Sequence, residues 1–372
     1  MAIKKVLFIA NHKGFSKFNA PYMRWFKEQG WLVHNASPGL EVGDVDMQYD
    51  IEIQRTPFSF KNIKAYFQLK RIIETNHYDL IHVHTPMGAV LGRLAAVEAR
   101  KKGTKVIYTA HGFHFFKGAP WKNWILYYPI EKFLSRYTDV LVTINQEDFE
   151  RATLHKLASG GIYHIDGVGV DLSRFREYDA QKRLIIRSEL GLNRSDFVAL
   201  YTAQFIVRKN HRFIIRCVPD IIKMVPNFRL ILAGNGPELD NCKSLVLKLN
   251  IEKYVKFLGG RSDIPDLCGM ADIHVASSYQ EGQGINNIEA MAAGCPIVVS
   301  NVRGHRDVCL NGRNGFLFNL DNPGQLVESV SRLAKEEVLY NKMSENNLQD
   351  VLKYSIIREV KAMAQIYVEV LN

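Results

Sequence analysis

The sequence predicts an α/β protein with two parallel-sheet domains. Short, continuous apolar runs alternate with helical patterns from VLFIA at 6–10 to DVLVTIN at 139–145. The same alternation starts again with FVALYTA at 197–203 and continues to PIVVS at 296–300. Continuous rather than alternating hydrophobicity is typical of strands that helices cover on both faces. The 372 residues are also more than one ordinary core accommodates. We therefore expect two domains, each built on a parallel sheet.

The segment between the two series of strands predicts where the domains divide. Residues of about 171–196 are charged and have no strong apolar periodicity until their end, which indicates an interdomain connection. We predict a first domain at 1–175, a second domain at 176–355, and an amphipathic C-terminal helix at 356–372 that packs toward the first domain. Open parallel sheets bind ligands beyond the carboxyl ends of their strands, so both sheets are expected to face an interdomain cleft.

Composition narrows the class of protein. The formal net charge of +10 is spread over both halves, which suits an anionic ligand or an anionic membrane surface. We find no nucleic-acid-binding motif and expect no nucleic-acid partner. The five cysteines form no Cys-x-x-Cys pair, and no stretch has the apolar length of a membrane span, so we expect a reduced, cytoplasmic protein. The first strand–helix turn, IANHKGFSKFN, lacks Gly-x-Gly-x-x-Gly, which disfavours a dinucleotide-dependent dehydrogenase.

A glycine-rich stretch at 277–294, SSYQEGQGINNIEAMAAG, carries two carboxylates, Glu281 and Glu289. Its pattern predicts a loop followed by a helix. Gly282 and Gly284 let the backbone approach a ligand, and the helix directs free N–H groups at it, which suits a phosphate group. Glu281 would then accept hydrogen bonds from sugar hydroxyls, and Glu289 would hold a diol such as a ribose. The alternative is an ordinary loop acid and an ordinary helix N-terminal carboxylate.

Two cations are expected near this loop. Arg208 and Lys209 lie in the turn after the strand at 197–203. Two carboxylates would repel a diphosphate unless cations intervened, and cations at a helix N-terminus are electrostatically misplaced unless an anion binds there. This conflict favours a functional interpretation of both residues.

Several motifs together resemble a known family. They are EGQGINNIE at 281–289 followed by AMAAGCPIVVS, GNGPEL at 234–239, the segment 255–278, NGRNGFLF at 311–318, VGVDLSRF at 168–175, HTPMGAVLGRLAA at 84–96 and YTAHGFHFFKGAP at 108–120. In combination the chain resembles the retaining glycosyltransferases of family 4, which have the GT-B fold of two Rossmann-like domains. Within them it resembles the branch that builds bacterial exopolysaccharide or capsule. The likeness covers nearly the whole chain.

The resemblance implies a role for each matching residue. His111 and Glu281 would be the catalytic residues that face the donor sugar, while Glu289 would hold the nucleotide ribose. Lys209 would neutralise the diphosphate, and Arg261 would border the base. The implied donor-binding residues are Gln204, Arg208, Lys209, Arg261, Gly282, Gln283, Gly284, Ile285 and Glu289. On position alone, His111 is equally well interpreted as a core histidine.

The sequence departs from the family pattern at two places. Many relatives have an arginine where this chain has Gln204, so we expect Arg208 to replace the missing charge. The glycine pair of the first domain is also absent, which leaves only Gly14 there. Our candidates on the acceptor side are Gly14, His84 and His114.

The function that the resemblance implies is transfer of a hexose from a nucleotide sugar, expected to be a UDP-sugar, to a polyprenyl-diphosphate-linked saccharide. Neither a metal nor another cofactor is expected. Aromatic and basic residues at 55–73 and 112–134 suit peripheral contact with anionic lipid at the inner face of the bacterial plasma membrane, although ordinary core helices explain much of the same pattern. Two alternatives stay open: a nucleotide-sugar 2-epimerase, which needs no acceptor, and a non-catalytic module that binds a nucleotide sugar.

Overall fold

The chain forms two compact units. The computed structural model describes residues 3–12, 14–39 and 43–372. One unit runs to Gly169 and also includes Ile356–Asn372, and the other comprises Val170–Ser355.

The first unit is built on a parallel sheet. Its described residues form seven strands in the order β3-β2-β1-β4-β5-β6-β7. These strands are β1 (Lys5–Ile9), β2 (Leu32–Ser37), β3 (Met47–Asp50), β4 (Leu80–His84), β5 (Lys105–Ala110), β6 (Val140–Thr143) and β7 (Gly161–His164). The helices between them are α1 (Phe15–Glu28), α2 (Lys61–Asn76), α3 (Pro86–Ala95), α4 (Val97–Lys101), α5 (Trp121–Leu134) and α6 (Gln146–His155).

The continuous apolar run of strand β1, Val6–Ile9, is explained by cores on both faces of the sheet. Leu7 and Ile9 lie in the hydrophobic core on one face of the sheet. Val6 and Phe8, which alternate with them, lie in a separate core on the other face. Successive side chains of a strand point to opposite faces, so a strand covered on both sides is apolar throughout.

The second unit repeats this architecture with a smaller sheet. Its six strands lie in the order β10-β9-β8-β11-β12-β13, and all pairs are parallel. They are β8 (Phe197–Thr202), β9 (Phe228–Ala233), β10 (Val255–Gly259), β11 (Ile273–Ala276), β12 (Ile297–Ser300) and β13 (Gly315–Phe318). The helices are α7 (Ala180–Glu189), α8 (His211–Met224), α9 (Leu239–Lys248), α10 (Ile264–Met270), α11 (Ile285–Ala292), α12 (Arg303–Val308), α13 (Pro323–Lys335) and α14 (Glu337–Asp350). The two predicted parallel-sheet domains are confirmed.

The segment predicted as an interdomain connection contains a packed helix instead. In α7, Arg183 and Arg187 form ion pairs with Asp272 at 2.6 and 2.8 Å, and Arg187 is buried. The helix therefore packs through paired charges, which a search for apolar periodicity does not detect. The first unit also ends before the predicted residue 175, because Phe175 is buried in the core of the second unit.

The C-terminal helix, α15 (Ile356–Leu371), belongs to the first unit. Its residues Met363 and Tyr367 are buried in the same core as Phe8 and Phe26. The predicted return of this helix to the first domain is therefore confirmed. Over the part of the chain that the structure describes, none of the helices is long and apolar enough to cross a bilayer.

Candidate active site

The glycine loop of the second unit lies between β11 and α11. The helix begins after Gly284, whose φ of 92° is a left-handed conformation that favours glycine. A Cβ atom at this position would lie 2.7 Å from Nδ2 of Asn287 and 3.1 Å from the ring of His305. Gly284 therefore allows both the turn into the helix and the close approach of two polar side chains.

Glu281 lies in this loop and is ion-paired on both of its carboxylate oxygens. Nζ of Lys209 is 2.6 Å from Oε1, and Nη1 of Arg208 is 2.9 Å from Oε2. The hydroxyl of Ser278 donates a further hydrogen bond to Oε1 at 2.7 Å. The glutamate is only 6% exposed. Burial by itself would raise its pKa, but the charges of Lys209 and Arg208 outweigh burial and lower the pKa to about 2. Glu281 is therefore a charged acceptor at neutral pH.

The two cations lie in a short 3₁₀ turn after β8, at Val207–Lys209. Two hydrogen bonds hold this turn against the loop after β11: Tyr279 N donates to Arg208 O at 2.9 Å, and Arg208 Nη1 donates to Gln280 O at 2.8 Å. The hydroxyl of Tyr201 donates to the carbonyl oxygen of Lys209 at 2.8 Å. Because β8 and β11 are neighbours, the predicted proximity of Arg208 and Lys209 to Glu281 is found in the structure.

Glu289 lies on α11 in a different environment. It is partly buried and makes no hydrogen bond or ion pair with any described residue. Burial raises its pKa to about 7, although the charge of Arg174 acts in the opposite direction. The carboxyl group is therefore free to bind a ligand, and it titrates near neutral pH.

Two residues at this site, Arg303 and His305, were missed by the sequence reasoning. They begin α12, which follows β12. A Cβ atom on the intervening Gly304 would lie 2.5 Å from the backbone of Gly282 and Gln283, so α12 abuts the glycine loop. Arg303 Nε donates to the carbonyl oxygen of Glu281 at 3.2 Å. Strand order could have identified Arg303 and His305 from the sequence, because residues after β12 lie at the same sheet edge as residues after β11.

His305 is buried beside Gly284. Its Nδ1 lies 3.0 Å from the carbonyl oxygen of Ser300, which can only accept, so Nδ1 carries the proton. Its Nε2 is buried and makes no hydrogen bond to the described part of the chain. Burial lowers the pKa of His305 to about 4, partly offset by the charge of Glu281. The ring is therefore neutral and directs a lone pair into its surroundings.

The remaining predicted donor residues are less closely grouped. Gln204 is exposed, and its loop packs against the GNG turn, where a Cβ on Gly234 would collide with the carbonyl oxygen of Ala203. Gln283 is buried and Ile285 is half-buried, so both lie within the glycine loop and helix start. Arg261 follows the edge strand β10 and pairs with Asp263 at 2.5 Å. No described contact joins Arg261 to the Glu281 cluster.

The first unit brings two of its predicted residues together. His84 ends β4 and His111 follows β5, the neighbouring strand, and their Nδ1 and Nε2 atoms are 3.1 Å apart. Burial lowers the pKa of His111 to about 4. His114 instead stacks on Tyr127 at 4.4 Å, and Gly14 precedes α1. The structure therefore pairs His84 with His111 and shows no contact of either with His114 or Gly14 among the described residues.

Comparisons with known proteins agree with this architecture. The family model described as "Glycosyl transferases group 1" matches residues 182–350, and the model described as "Glycosyl transferase 4-like" matches residues 5–145. The chain is 42% identical to the glycosyltransferase EpsD of Bacillus subtilis over 98% of this chain and 96% of that protein.

Two further similarities are more distant. The UDP-Gal:alpha-D-GlcNAc-diphosphoundecaprenol alpha-1,3-galactosyltransferase of Escherichia coli is 26% identical over 83% of this chain and 80% of that protein. The crystal structure of Anabaena HepE in complex with UDP and glucose superposes with a TM-score of 0.79, at 20% identity, over 98% of this chain and 100% of that one. With the similarity to EpsD, these matches show that the chain belongs to the family 4-like glycosyltransferases of GT-B fold and is itself a glycosyltransferase.

Proposed function

We propose that this enzyme transfers a sugar, with retention of anomeric configuration, from a UDP-sugar to a saccharide carried on a polyprenyl diphosphate. The observation that carries the proposal is the cluster of Glu281, Lys209 and Arg208 beside the N-terminus of α11. This cluster combines two fixed cations with free backbone N–H groups, as binding of a diphosphate requires. The Escherichia coli relative is named for a UDP-sugar donor and a diphosphoundecaprenol acceptor, which supports both halves of the proposal.

The chemistry of the site suits stabilisation of a leaving diphosphate. Lys209, Arg208 and the N-terminus of α11 would stabilise the negative charge that develops on the diphosphate as the glycosidic bond to the sugar breaks. Because these positive groups belong to the protein, the proposed reaction requires no metal. Glu281 would hold both cations in place and accept a hydrogen bond from the donor sugar. Its two oxygens are already engaged by cations, so we do not assign it as a nucleophile.

The proposed acceptor is carried on a lipid, and the first unit has a surface suited to contact with lipid. We call the exposed apolar side chains around α2 and α5 the apolar patch: Phe58, Phe60, Ile63, Phe67, Trp121, Ile125 and Phe133. Phe60 is 87% exposed and Trp121 is 67% exposed. Lysines lie between these residues, at Lys61 and Lys122 for example. Aromatic side chains interleaved with cations support peripheral binding to an anionic membrane face.

The motifs at 84–96 and 108–120, which resemble the exopolysaccharide branch of the family, support a role in exopolysaccharide or capsule assembly. In that role the enzyme would act at the cytoplasmic face of the bacterial plasma membrane, where both a soluble nucleotide sugar and a lipid-linked acceptor are accessible.

A thermal-stability assay tests the donor proposal. The protein is melted with UDP, GDP, ADP or CDP in the presence of a chelator. At 100 times its dissociation constant, a ligand stabilises the fold by about 2.7 kcal/mol, which a melting curve resolves. We expect UDP to raise the melting temperature. Glu289→Ala should weaken UDP binding about tenfold and so reduce the stabilisation to about 1.4 kcal/mol. The matched control is Glu337→Ala, an exposed acid of the same unit, which should leave the rise unchanged. A rise of equal size with every nucleotide would contradict the assignment of UDP.

A product assay separates transferase from epimerase. UDP-sugars are incubated with and without a polyprenyl-diphosphate-linked saccharide, and both the lipid and the sugar nucleotide are analysed. We expect an elongated lipid product only when the acceptor is present. A 2-epimeric sugar nucleotide formed without acceptor would favour the epimerase, and binding without either product would favour the non-catalytic module.

Vesicle co-sedimentation tests the membrane contact. We expect binding to vesicles that contain anionic lipid and weaker binding to neutral vesicles, because lysines lie between the residues of the apolar patch. Phe60→Ser with Phe67→Ser should reduce the bound fraction several-fold, since both side chains are exposed. Val338→Ser is the control, because Val338 is 84% exposed but lies on α14, in the second unit. Binding that ignores anionic lipid content would overturn the proposal.

A further inference from the structure

His84 is buried, and its hydrogen-bonding environment is asymmetric. Its Nδ1 faces Nε2 of His111 at 3.1 Å. Its Nε2 is buried and has no hydrogen-bonding partner among the residues that the structure describes. The rings of Phe8 and Phe15 lie near it, with centroids 6.3 and 6.1 Å away. One nitrogen of His84 is therefore committed to His111, and the other faces surroundings without a hydrogen-bonding partner.

His82, the neighbouring histidine on β4, cannot supply the missing partner. Its ring lies against that of His84, with centroids 4.0 Å apart and an interplanar angle of 41°. Both of its nitrogens are already used: Nδ1 contacts the hydroxyl of Tyr367 at 2.8 Å, and Nε2 contacts the hydroxyl of Thr109 at 2.8 Å. The side chain of His84 therefore has His111 as its single hydrogen-bonding partner among the described residues.

One proton lies between His84 and His111. Burial lowers the pKa of both rings, so both are neutral at physiological pH. Either His84 Nδ1–H donates to His111 Nε2, or His111 Nε2–H donates to His84 Nδ1. The second arrangement leaves an N–H group of His84 buried without an acceptor, and orphaned buried N–H groups are rare in proteins. The first arrangement buries only a lone pair.

We propose that His84 is a positioning residue that fixes the tautomer of His111. By donating from Nδ1 to His111 Nε2, His84 holds His111 in the form that carries its proton on Nδ1. That Nδ1 makes no hydrogen bond to the described residues, and it is not among the buried unpartnered atoms. His111 therefore presents a neutral N–H donor, with a fixed direction, to a ligand beyond the carboxyl edge of the first sheet.

The consequence for catalysis rests on the proposed function. A donor at His111 Nδ1 suits an oxygen acceptor, such as a hydroxyl oxygen of the donor sugar. The opposite tautomer would present a bare lone pair and would require the ligand to donate. His84 would thus act on the reaction through His111 and without touching the substrate itself.

The tautomer is measured directly by long-range proton–nitrogen correlation NMR of protein labelled with isotope at the histidine rings. His111→Gln identifies which signals belong to His111. In the unaltered protein we expect the proton of His111 on Nδ1. In His84→Leu, Nε2 loses its donor and His111 should show both tautomers. In His84→Asn the side-chain amide replaces the lost N–H donor, so the Nδ1–H form should remain. A proton on Nε2 in the unaltered protein would overturn the proposal, and that result does not depend on any variant folding.

Kinetics provide the second measurement. We expect His84→Leu to lower kcat/KM by about tenfold, the usual effect of one lost hydrogen bond, and His84→Asn by less than about threefold. The double variant His84→Leu with His111→Gln should be no slower than His111→Gln alone, because His84 acts through His111. Equal losses in the Leu and Asn variants, at equal melting temperature, would contradict a positioning role. If the unaltered protein lacks transferase activity, the proposed function fails, while the tautomer measurement still stands.

Discussion

Glu281 and Glu289 belong to one loop and helix, yet their carboxyl groups behave in opposite ways. Glu281 is bound by Lys209 and Arg208, and its pKa is lowered to about 2. Glu289 has no partner among the described residues, and burial raises its pKa to about 7. Both are withdrawn from water, so burial does not distinguish them. The presence or absence of paired cations decides the charge state of each.

This difference suggests that the two glutamates bind different parts of the ligand. The Glu281 cluster carries one net positive charge, from two cations and one carboxylate, and is suited to the diphosphate and the sugar. Glu289 has its hydrogen-bonding capacity free and is suited to a neutral diol. Measurements with UDP and with uridine separate the two regions, because uridine has the ribose but not the diphosphate.

Removing a cation should have the largest effect. We expect Lys209→Met to lower kcat by about 100-fold to 1,000-fold, because a preorganised charge at the leaving group is lost. It should also lower the free energy of unfolding by about 3 kcal/mol, since a buried carboxylate loses its closer partner. Arg208→Met should have a smaller effect on kcat and on the free energy of unfolding, because the Arg208 side chain is 43% exposed and that of Lys209 only 14%. Steady-state kinetics and urea unfolding provide the measurements. Equal effects of the two variants would contradict the argument from burial.

Neutralising Glu281 and Glu289 one at a time should show that Glu281 mainly affects kcat and Glu289 mainly affects the affinity for UDP. Glu281→Gln releases both cations, so we expect UDP to bind at least as tightly while kcat falls by about 100-fold. Glu289→Gln replaces one of the two carboxyl oxygens proposed to accept from the ribose hydroxyls with an amide donor, so UDP and uridine should both bind about tenfold more weakly. Titration calorimetry measures affinity, and the product assay measures kcat. If Glu289→Gln weakened UDP binding but not uridine binding, Glu289 would not be the ribose residue.

The two carboxyl groups should also affect stability in different pH windows. The native pKa of Glu289 lies above its ordinary value of 4.5, so the native state retains a proton that the unfolded chain releases. The contribution of Glu289 to the free energy of unfolding is therefore lost as pH rises from about 4.5 to 7. The native pKa of Glu281 lies below 4.5, so its contribution is present above that pH and lost as pH falls toward 2.

Urea unfolding across this range measures both contributions. Glu359, whose pKa burial raises to about 8, acts in the same direction as Glu289, so the comparison must be with Glu289→Gln. We expect Glu289→Gln to remove a decline on the order of 2 kcal/mol between pH 5 and pH 8. The same substitution should not change the loss of stability that occurs as pH falls toward 2. An unchanged slope above pH 5 would show that Glu289 is already ionised in the folded protein.

Much of this site follows from the sequence, for a physical reason. In parallel sheets the carboxyl ends of neighbouring strands share one edge, so the turn with Lys209 and the loop with Glu281 were predictable neighbours. His305 also follows a strand of that edge, but a histidine in a short helix has no pattern that separates a site from a core. The hydrogen bond from His84 to His111 depends on side-chain orientation, which strand periodicity does not specify.

Prediction of the fold from the sequence is limited in the same way. Apolar strands were recognised because burial on both faces leaves a continuous pattern. Helix α7 was not, because Arg183 and Arg187 pack through ion pairs with Asp272. Interactions between charged groups distant in sequence leave no local periodicity.

Adding a charge beside the Glu281 cluster should have the smallest effect. Gln204 is exposed in the turn after β8. Gln204→Arg places a further cation at the same sheet edge as Lys209, so we expect UDP to bind about threefold more tightly, as a solvent-exposed ion pair permits. The gain should disappear at high salt, because exposed charges are screened. Uridine affinity should not change, since the residue proposed to hold the ribose is Glu289 and the substitution does not alter it. Titration calorimetry with both ligands measures this, and equal gains for UDP and uridine would show that the substitution acts on the shape of the loop and not on the diphosphate.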